Sequence, residues 1–211
     1  MSTLYKYPRT PHLPFSEGAT SDDRILTSTE HLKPLIVVVT EKFDGENTTI
    51  YNDHYHARSL DSKHHEYHSY LLSHILPSLQ YQIPANWRIC GEYLYAKHSI
   101  GYTDLPDYFL VFSIWDENNR CLSWQETKEY CELLGLHYVT ELYTGPYDED
   151  TIKKIAEETV QRGGEGVVVR DAEGFDYTDF QEHMAKYVRK NHVQTDKHWS
   201  LQSIEKNLLK D

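Results

Sequence analysis

Apolar residues along the chain fall into short runs that predict strands. The run from Leu35 to Val39 is almost continuously apolar, which is typical of a strand buried on both faces. A second strand is predicted at 47–58. Its first residues, Asn47 to Tyr51, alternate between apolar and polar, as expected for a strand with one exposed face. Further strands are predicted at 87–95, 108–116, 165–171 and 184–189.

Longer segments between these runs predict helices. Segment 65–79 carries apolar residues at helical spacing. Ser123 and Glu126 have the spacing of a capping box, and Gly135 is suited to end that helix. Segment 148–164 has acidic residues in its first turn and two glycines at its end, again typical of a helix. A short final helix is predicted from about residue 200.

The order of these elements predicts the fold class. Residues 1–34 are rich in Pro, Ser, Thr and Asp and predict an irregular segment packed on the domain. Residues 35–211 then form one domain, with strands joined by turns and two or three helices. This pattern favours an α+β fold with mostly antiparallel sheets flanked by helices.

Composition limits the classes of protein and the cellular locations that are compatible with the sequence. The 211 residues have 39% hydrophobic content and a mean hydropathy of -0.67, with no apolar stretch long enough for a membrane span and no signal-peptide pattern at the start. The three cysteines are an odd count without a paired spacing, which favours a reducing, cytoplasmic location. The net charge of -12 argues against a broad nucleic-acid-binding surface, but it leaves room for a local basic cleft.

The stretch Lys42-Phe43-Asp44-Gly45 is the first candidate for chemistry. Asp-Gly is a common hairpin turn, so one interpretation is a surface turn between two strands. The other is a nucleophilic lysine beside a tight loop that a phosphate can approach. Alone, a four-residue pattern does not decide between them.

Further charged and aromatic residues follow this stretch in a definite order. Glu92 lies in the strand Gly-Glu-Tyr-Leu-Tyr, and Phe112 lies in the apolar run 108–116. Glu165 and Gly166 begin another strand. The order ends with Arg170, Lys186 and Lys190.

This ordered series resembles the covalent nucleotidyltransferases, which comprise DNA ligases, RNA ligases and mRNA capping enzymes. It is most similar to the RNA ligases of bacteriophage type (RNA ligase 2-like), which repair breaks in duplex RNA, and the resemblance covers about residues 35–190. It implies a nucleotidyltransferase domain of the ATP-grasp-like ligase adenylation kind. It further implies an ATP-dependent ligase that joins 3′-hydroxyl and 5′-phosphate ends through a lysyl-AMP intermediate and an adenylylated 5′ end. The implied cofactors are ATP and Mg²⁺ or Mn²⁺, and the implied partner is nucleic acid, as RNA ends or a nicked duplex.

The resemblance also implies three catalytic residues. Lys42 resembles the nucleophile that bonds to AMP, and Glu165 resembles the carboxylate near the metal ion and the reacting phosphate. Lys186 matches the lysine that holds the α-phosphate. Since a lysine is protonated at neutral pH, we expect Lys42 to be desolvated and crowded by cations that lower its pKa.

Other positions match residues that bind the nucleotide. Glu92 resembles the acid that holds a ribose hydroxyl, and Phe112 resembles the aromatic residue that stacks on adenine. Asn47 matches the asparagine that follows the lysine motif, and Arg58 falls where the family keeps an arginine near the 5′-phosphate and ribose. The remaining members of the implied nucleotide-binding set are Glu41, Arg170, which stands where relatives have lysine, and Lys190.

Two departures from the family pattern are visible. The last motif normally has two lysines two positions apart, but position 188 is Val188, so either Arg189 or Lys190 supplies the second cation. DNA ligases and capping enzymes carry a barrel after this motif, whereas 21 residues follow Lys190 here. The RNA ligase interpretation is therefore preferred to a DNA ligase or a GTP-using capping-type enzyme.

Two other interpretations concern binding alone. One is a nucleotide- or RNA-binding relative that has lost catalysis, against which the intact set of Lys42, Glu92, Glu165 and Lys186 argues. The other is a zinc site in the histidine-rich stretch 54–74, which lacks the paired ligand spacing that zinc requires. The polar segment 191–199 is a candidate lining of the phosphate path. The sequence does not identify a protein partner that would recruit this chain to nucleic acid.

Overall fold

The computed structural model describes residues 1–191 and 203–211, and strands dominate this part of the chain. The strands are β1 (Ile36–Lys42), β2 (Glu46–Ile50), β3 (Tyr55–Ala57), β4 (Arg88–Tyr93), β5 (Phe109–Trp115), β6 (Arg120–Cys121), β7 (His137–Tyr138), β8 (Glu141–Pro146), β9 (Gly166–Asp171), β10 (Phe175–Asp176) and β11 (Met184–Val188). The helices are α1 (Leu76–Leu79), α2 (Trp124–Leu134), α3 (Glu149–Gln161) and α4 (Phe180–His183). The predicted α+β class with mostly antiparallel sheets is confirmed.

The first sheet runs β11-β9-β1-β8 and is antiparallel throughout. Val37 and Val39 of β1 are fully buried and pack with Ala156 of α3 in one hydrophobic cluster. The register places Lys42 opposite Gly166, at the end of β1 and the start of β9. Because β11 also pairs with β9, Lys186 lies opposite Val168, close to the same end.

The second sheet runs β10-β6-β5-β4-β2-β3, with β7 added in parallel to β5. Its apolar residues form the largest hydrophobic cluster, which includes Ile50, Ile89, Phe109 and Leu110. Strands β2 and β4 pair so that Asn47 lies opposite Glu92. The two sheets are joined by the short loop between β1 and β2, which contains Phe43, Asp44 and Gly45.

The two long helices begin and end as their sequences predict. The Ser123 hydroxyl accepts from the backbone N–H of Glu126, whose carboxylate accepts in turn from the N–H of Ser123. Gly135 ends α2 in the left-handed conformation, with φ of 69°. Asp148 caps α3 by accepting from the N–H of Thr151.

The structure differs from the local predictions at three places. Segment 47–58 is two strands, because the chain turns at Asn52-Asp53 and the Tyr51 N–H donates to the His54 carbonyl. Segment 65–79 is helical without a break from Glu66 to Leu79, as predicted, but it is not a uniform α-helix: a 3₁₀ turn and a π turn precede the four-residue α1, where Pro77 lacks an N–H and crowds the preceding turn. Residues 203–211 are extended rather than helical, and residues 200–202 lie outside the described part of the chain.

Four strands were not predicted from the sequence. β6, β7 and β10 are two residues each, too short to produce an alternating pattern. β8 is an edge strand that ends in Gly145-Pro146, residues that normally mark a turn. Edge position explains why these residues are compatible with a strand here.

The N-terminal segment 1–34 contains no helix or named strand and lies against β11. The N–H of Lys186 donates to the Pro11 carbonyl at 2.9 Å, and the N–H of Leu13 donates back to the Lys186 carbonyl at 2.8 Å. Leu13 and Leu32 are fully buried in the cluster beneath the first sheet. None of the described helices is long and apolar enough to cross a membrane.

Candidate functional site

A cavity of about 520 Å³ opens where the ends of the two sheets meet. Lys42 and Lys186 come from the first sheet, and Glu92 and Phe112 come from the second. The predicted site residues that line this cavity are Glu41, Lys42, Asn47, Arg58, Glu92, Phe112, Arg170 and Lys186. The fold therefore brings together residues that are separated by up to 145 positions in sequence.

Lys42 and Glu165 form an ion pair beside the cavity. The Lys42 Nζ lies 3.4 Å from Oε2 of Glu165, whose side chain is fully buried. Gly166 follows Glu165 at the point where β9 meets β11. A Cβ on Gly166 would lie 1.9 Å from the Tyr187 carbonyl oxygen, so only glycine allows the two strands to pair this closely beside the ion pair.

The electrostatic environment of Lys42 differs from the sequence-based expectation. Burial lowers the pKa of Lys42, but the carboxylates of Glu165, Glu92 and Asp44 outweigh it and raise the pKa above its usual value. The expected lowering of the Lys42 pKa is therefore wrong for the protein without ligands, although Lys186 lies close enough for the two charges to interact. Because carboxylates surround it, Lys42 is held as an ammonium ion.

Lys186 shows the opposite shift. Burial, together with the nearby charges of Lys42 and Arg58, lowers the pKa of Lys186 to about 8, although Asp23 and Glu165 act against this change. Its side chain lines the same cavity. Lys186 is therefore a cation whose charge is sensitive to pH in the range just above neutrality.

Glu92 is held at the loop that follows Lys42. Its Oε1 accepts from the Gly45 N–H at 3.0 Å. Burial, and secondarily the charge of Glu165, raise the pKa of Glu92 to about 8, while Lys42 and the Gly45 N–H oppose this shift. Gly45 is needed for the close approach, since a Cβ there would lie 2.5 Å from the Tyr93 carbonyl oxygen. Glu41, one residue before Lys42, also has a raised pKa because it is buried.

Asn47 and Phe112 lie on the wall formed by the second sheet. Asn47 is opposite Glu92 across β2 and β4. Its side-chain oxygen is buried and has no hydrogen-bond partner among the described residues, which leaves an acceptor available to a ligand. Phe112 is half-buried and meets the ring of Tyr7 edge-on at 5.1 Å. This contact fixes the orientation of Phe112 while its side chain still lines the cavity.

The predicted basic residues differ in their geometry. Arg170 lines the cavity, but its buried guanidinium donates to the Leu122 carbonyl at 2.8 Å and to the Phe112 carbonyl at 3.4 Å. Lys190 is exposed and lies outside the cavity lining. Nη2 of Arg189 is 3.3 Å from the Ser99 hydroxyl, beside the loop that contacts Asp44. Of the two candidates for the second cation, Arg189 is the one directed toward residues 42–45, which are called the lysine loop below.

Other residues of the cavity were not identified from the sequence. Tyr7, Pro8 and Thr10 reach it from the irregular N-terminal segment, which carries no motif. Lys63 and His65 reach it from the histidine-rich stretch. No local pattern marks these positions, because they become neighbours only when distant segments pack together.

Glu46 is also part of the lining and organises the histidine-rich stretch. Its carboxylate accepts from the Tyr67 hydroxyl at 2.6 Å and pairs with Nε2 of His68 at 2.7 Å. Burial would raise its pKa, but these hydrogen bonds lower it below the usual value. Among the described residues, no group of three or more His, Cys, Asp or Glu side chains is arranged to hold a metal ion. The pair of Glu46 and His68 therefore holds the histidine-rich stretch against the cavity wall.

The comparison with protein families decides the classification. The RNA ligase family matches residues 35–188, well over half of the chain. The chain belongs to the RNA ligase family. No curated protein sequence is significantly similar to it. The match begins one residue before β1 and ends at the last residue of β11, so it contains both Lys42 and Lys186.

Solved structures place this RNA ligase family member among ligase nucleotidyltransferase domains by fold. An archaeal ATP-dependent RNA ligase gives a TM-score of 0.63 at 19% identity, covering 88% of this chain and 48% of its own. A putative ATP-dependent DNA ligase from Aquifex aeolicus gives 0.58 at 23% identity, covering 88% and 50%. A variant of Naegleria gruberi RNA ligase with ATP and Mn gives 0.57 at 17% identity, covering 76% and 51%. The chain thus spans about half the length of each of these proteins.

Proposed function

We propose that this protein is an ATP-dependent polynucleotide ligase that joins RNA ends through a lysyl-AMP intermediate. The observation that carries the proposal is the ion pair of Lys42 with the buried Glu165 at a cavity that Lys186 also lines. Family membership supports a ligase. The solved relatives described as ATP-dependent or as bound to ATP support ATP as the nucleotide.

In the proposed first step, the Lys42 amine attacks the α-phosphorus of ATP. An N–P bond forms, the bond from the α-phosphorus to the bridging oxygen breaks, and pyrophosphate leaves. The Lys42 ammonium must lose one proton before attack and a second proton as the N–P bond forms. Oε2 of Glu165, which accepts from Nζ of Lys42 at 3.4 Å, is placed to receive a proton. Lys186 then stabilises the negative charge that develops on the α-phosphate.

A divalent cation fits this site through Glu165. Mg²⁺ is typically bound by one or two protein carboxylates together with substrate phosphates and water, so a single buried carboxylate is sufficient. When bound, Mg²⁺ or Mn²⁺ would neutralise the carboxylate that holds Lys42 protonated and would stabilise the charge on the reacting phosphate. The Naegleria gruberi relative with ATP and Mn supports this choice of metal.

The other lining residues receive binding roles in the proposal. Phe112 stacks on adenine, and Glu92 hydrogen-bonds a ribose hydroxyl, for which its partly protonated carboxyl near pH 8 is suited. Asn47 offers its buried side-chain oxygen to the substrate. Arg58 binds the 5′-phosphate of the nucleic acid. The later steps transfer AMP to that 5′-phosphate and then release it when a 3′-hydroxyl attacks.

The proposal is tested by incubating the protein with α-labelled ATP and Mg²⁺, followed by denaturing electrophoresis. We expect label on the protein chain, release of unlabelled pyrophosphate, and no adduct with α-labelled GTP. Absence of an adduct with ATP across pH 6–9, with either Mg²⁺ or Mn²⁺, would refute the proposed chemistry. A preferred adduct with GTP would instead identify a capping-type enzyme.

The strand preference needs a separate experiment. Nicked duplexes that carry RNA on both sides of the nick are compared with the same sequences as DNA and as hybrids. The proposal expects the highest sealing rate for RNA. Faster sealing of DNA would favour the activity named for the Aquifex aeolicus relative.

A further inference from the structure

The C-terminal segment 203–211 lies along the loop between β4 and β5. The N–H of Lys97 donates to the Glu205 carbonyl at 2.8 Å, and the N–H of Leu208 donates to the Tyr102 carbonyl at 2.9 Å. Leu105 and Leu209 form a further bridge. This segment therefore adds an outer layer to the loop 94–108, part of which approaches Lys42.

Asn207 is the most completely bonded residue of that segment. It is 1% exposed. Its Nδ2 donates to the Leu94 carbonyl at 2.8 Å, and its Oδ1 accepts from the Tyr102 N–H at 2.8 Å. Its backbone carbonyl accepts from the Tyr108 hydroxyl, also at 2.8 Å. A side-chain amide is needed here, since it donates at one end and accepts at the other.

Tyr102 carries this support to the lysine loop. Its hydroxyl oxygen accepts from the Asp44 N–H at 2.8 Å, and its ring lies 5.4 Å from that of Phe43. Asp44 is 7% exposed, and its Oδ2 accepts from the N–H and hydroxyl of Ser99 and from the N–H of Ile100, at 2.7–2.9 Å. Asp44 is therefore bonded on both its backbone and its side chain to the loop that Asn207 holds.

We propose that Asn207 is a positioning residue for Lys42, acting through Tyr102 and Asp44. The inference rests on the proposed function, because it assigns Asn207 a role in the attack of Lys42 on ATP. Small misplacements of a reacting group cost large factors in rate, since attack requires the atoms to be aligned. Loss of the Asn207 amide removes the hydrogen bond to the Tyr102 N–H, which weakens the placement of the Tyr102 hydroxyl that supports the loop from Lys42 to Gly45.

The test compares Asn207→Ala with Tyr102→Phe and with the double variant. We expect each single variant to lower the maximal rate of adduct formation by about tenfold, with the KM for ATP changed by less than about twofold. Neither variant removes a hydrogen bond made by the side chain of Glu92 or Phe112, so ATP binding should persist. If both residues act along one path, the double variant should be no slower than the slower single variant.

The matched control is Leu209→Ala, which truncates an exposed side chain of the same C-terminal segment and leaves the backbone bridge to Leu105 in place. The folded protein should keep its adduct rate. A normal maximal rate in folded Asn207→Ala, or multiplicative effects in the double variant, would overturn the inference. So would equal slowing by Leu209→Ala.

Amide hydrogen exchange separates this inference from the proposed function. In Asn207→Ala, the amides of Asp44, Ser99 and Ile100 should exchange faster, while those of α3 should not change. This result does not depend on whether the protein forms an adduct. Wild-type protein without an adduct refutes the proposed function, whereas unchanged exchange at Asp44 refutes the support by Asn207.

Discussion

Lys42 and Lys186 line one cavity but have opposite pKa shifts. The pKa of Lys42 is raised because three carboxylates, from Glu165, Glu92 and Asp44, outweigh its burial. The pKa of Lys186 is lowered to about 8 because burial is reinforced by Lys42 and Arg58. Both residues are lysines in or next to strands of the same sheet. Their difference arises from the neighbours that each one meets.

In the proposed mechanism, this difference suits the two lysines to complementary tasks. Lys186 is placed where an added phosphate would restore its full charge, because an anion offsets the repulsion from Lys42 and Arg58. Lys42 is placed where an added divalent cation would weaken its attachment to Glu165. Bound substrate would therefore raise the pKa of Lys186 and keep it a cation. A bound divalent cation would instead lower the pKa of Lys42 and favour its neutral amine.

The largest effect is expected for Lys42→Ala, which removes the proposed nucleophile. We expect no detectable protein–AMP adduct, and peptide mapping of the wild-type adduct should locate AMP on Lys42. Lys42→Arg should not restore the adduct, because a guanidinium stays protonated. Label that persists in either variant would show that the nucleophile is a residue other than Lys42.

The next largest effect is expected for Glu165→Gln. We expect adduct formation at pH 7.5 to fall by about 100-fold or more, because a charged group at the reacting phosphate is lost. Removing this carboxylate also lowers the pKa of Lys42, so the residual activity should reach its half-maximal value at a lower pH than in wild type. Asp176→Asn, an exposed carboxylate paired with Arg120, is the control. A normal rate in Glu165→Gln would show that Glu165 does not act on Lys42 or on the reacting phosphate during adduct formation.

A smaller effect is expected from the titration of Lys186. Its charge is present below pH 8 and is lost above it. The KM for ATP should therefore rise between pH 7 and pH 9, by up to about tenfold. Lys186→Arg should bind ATP with a KM that changes much less over this range, since arginine keeps its charge. An equal rise in both proteins would assign the pH dependence to another group, such as Glu92.

The smallest effect on the first step is expected for Asn47→Ala. Loss of one buried hydrogen-bonding group should slow adduct formation by about twofold to threefold and sealing by about tenfold. The two rates are measured separately, with α-labelled ATP for the adduct and with a nicked RNA duplex for sealing. An equal loss at both steps would contradict a role for Asn47 after adenylylation.

Much of the fold could be predicted from local pattern. The continuous apolar run before Lys42 predicts β1, and the caps at Ser123 and Asp148 predict the starts of α2 and α3. The short strands β6, β7 and β10 could not be predicted, since two residues do not define a period. The final segment was predicted as helix, but hydrogen bonds to the loop 94–108 hold it extended. Long-range pairing thus overrode local preference there.

The sequence by itself indicated the family and a set of candidate residues, most of which line one cavity in the structure. The order of Lys42, Glu92, Phe112, Glu165 and Lys186 indicated the RNA ligase family before any geometry was known. Order along a chain does not state distances, however. Only the tertiary structure decided that three carboxylates lie close enough to raise the pKa of Lys42, because Coulomb interactions and burial depend on separation and packing rather than on sequence position.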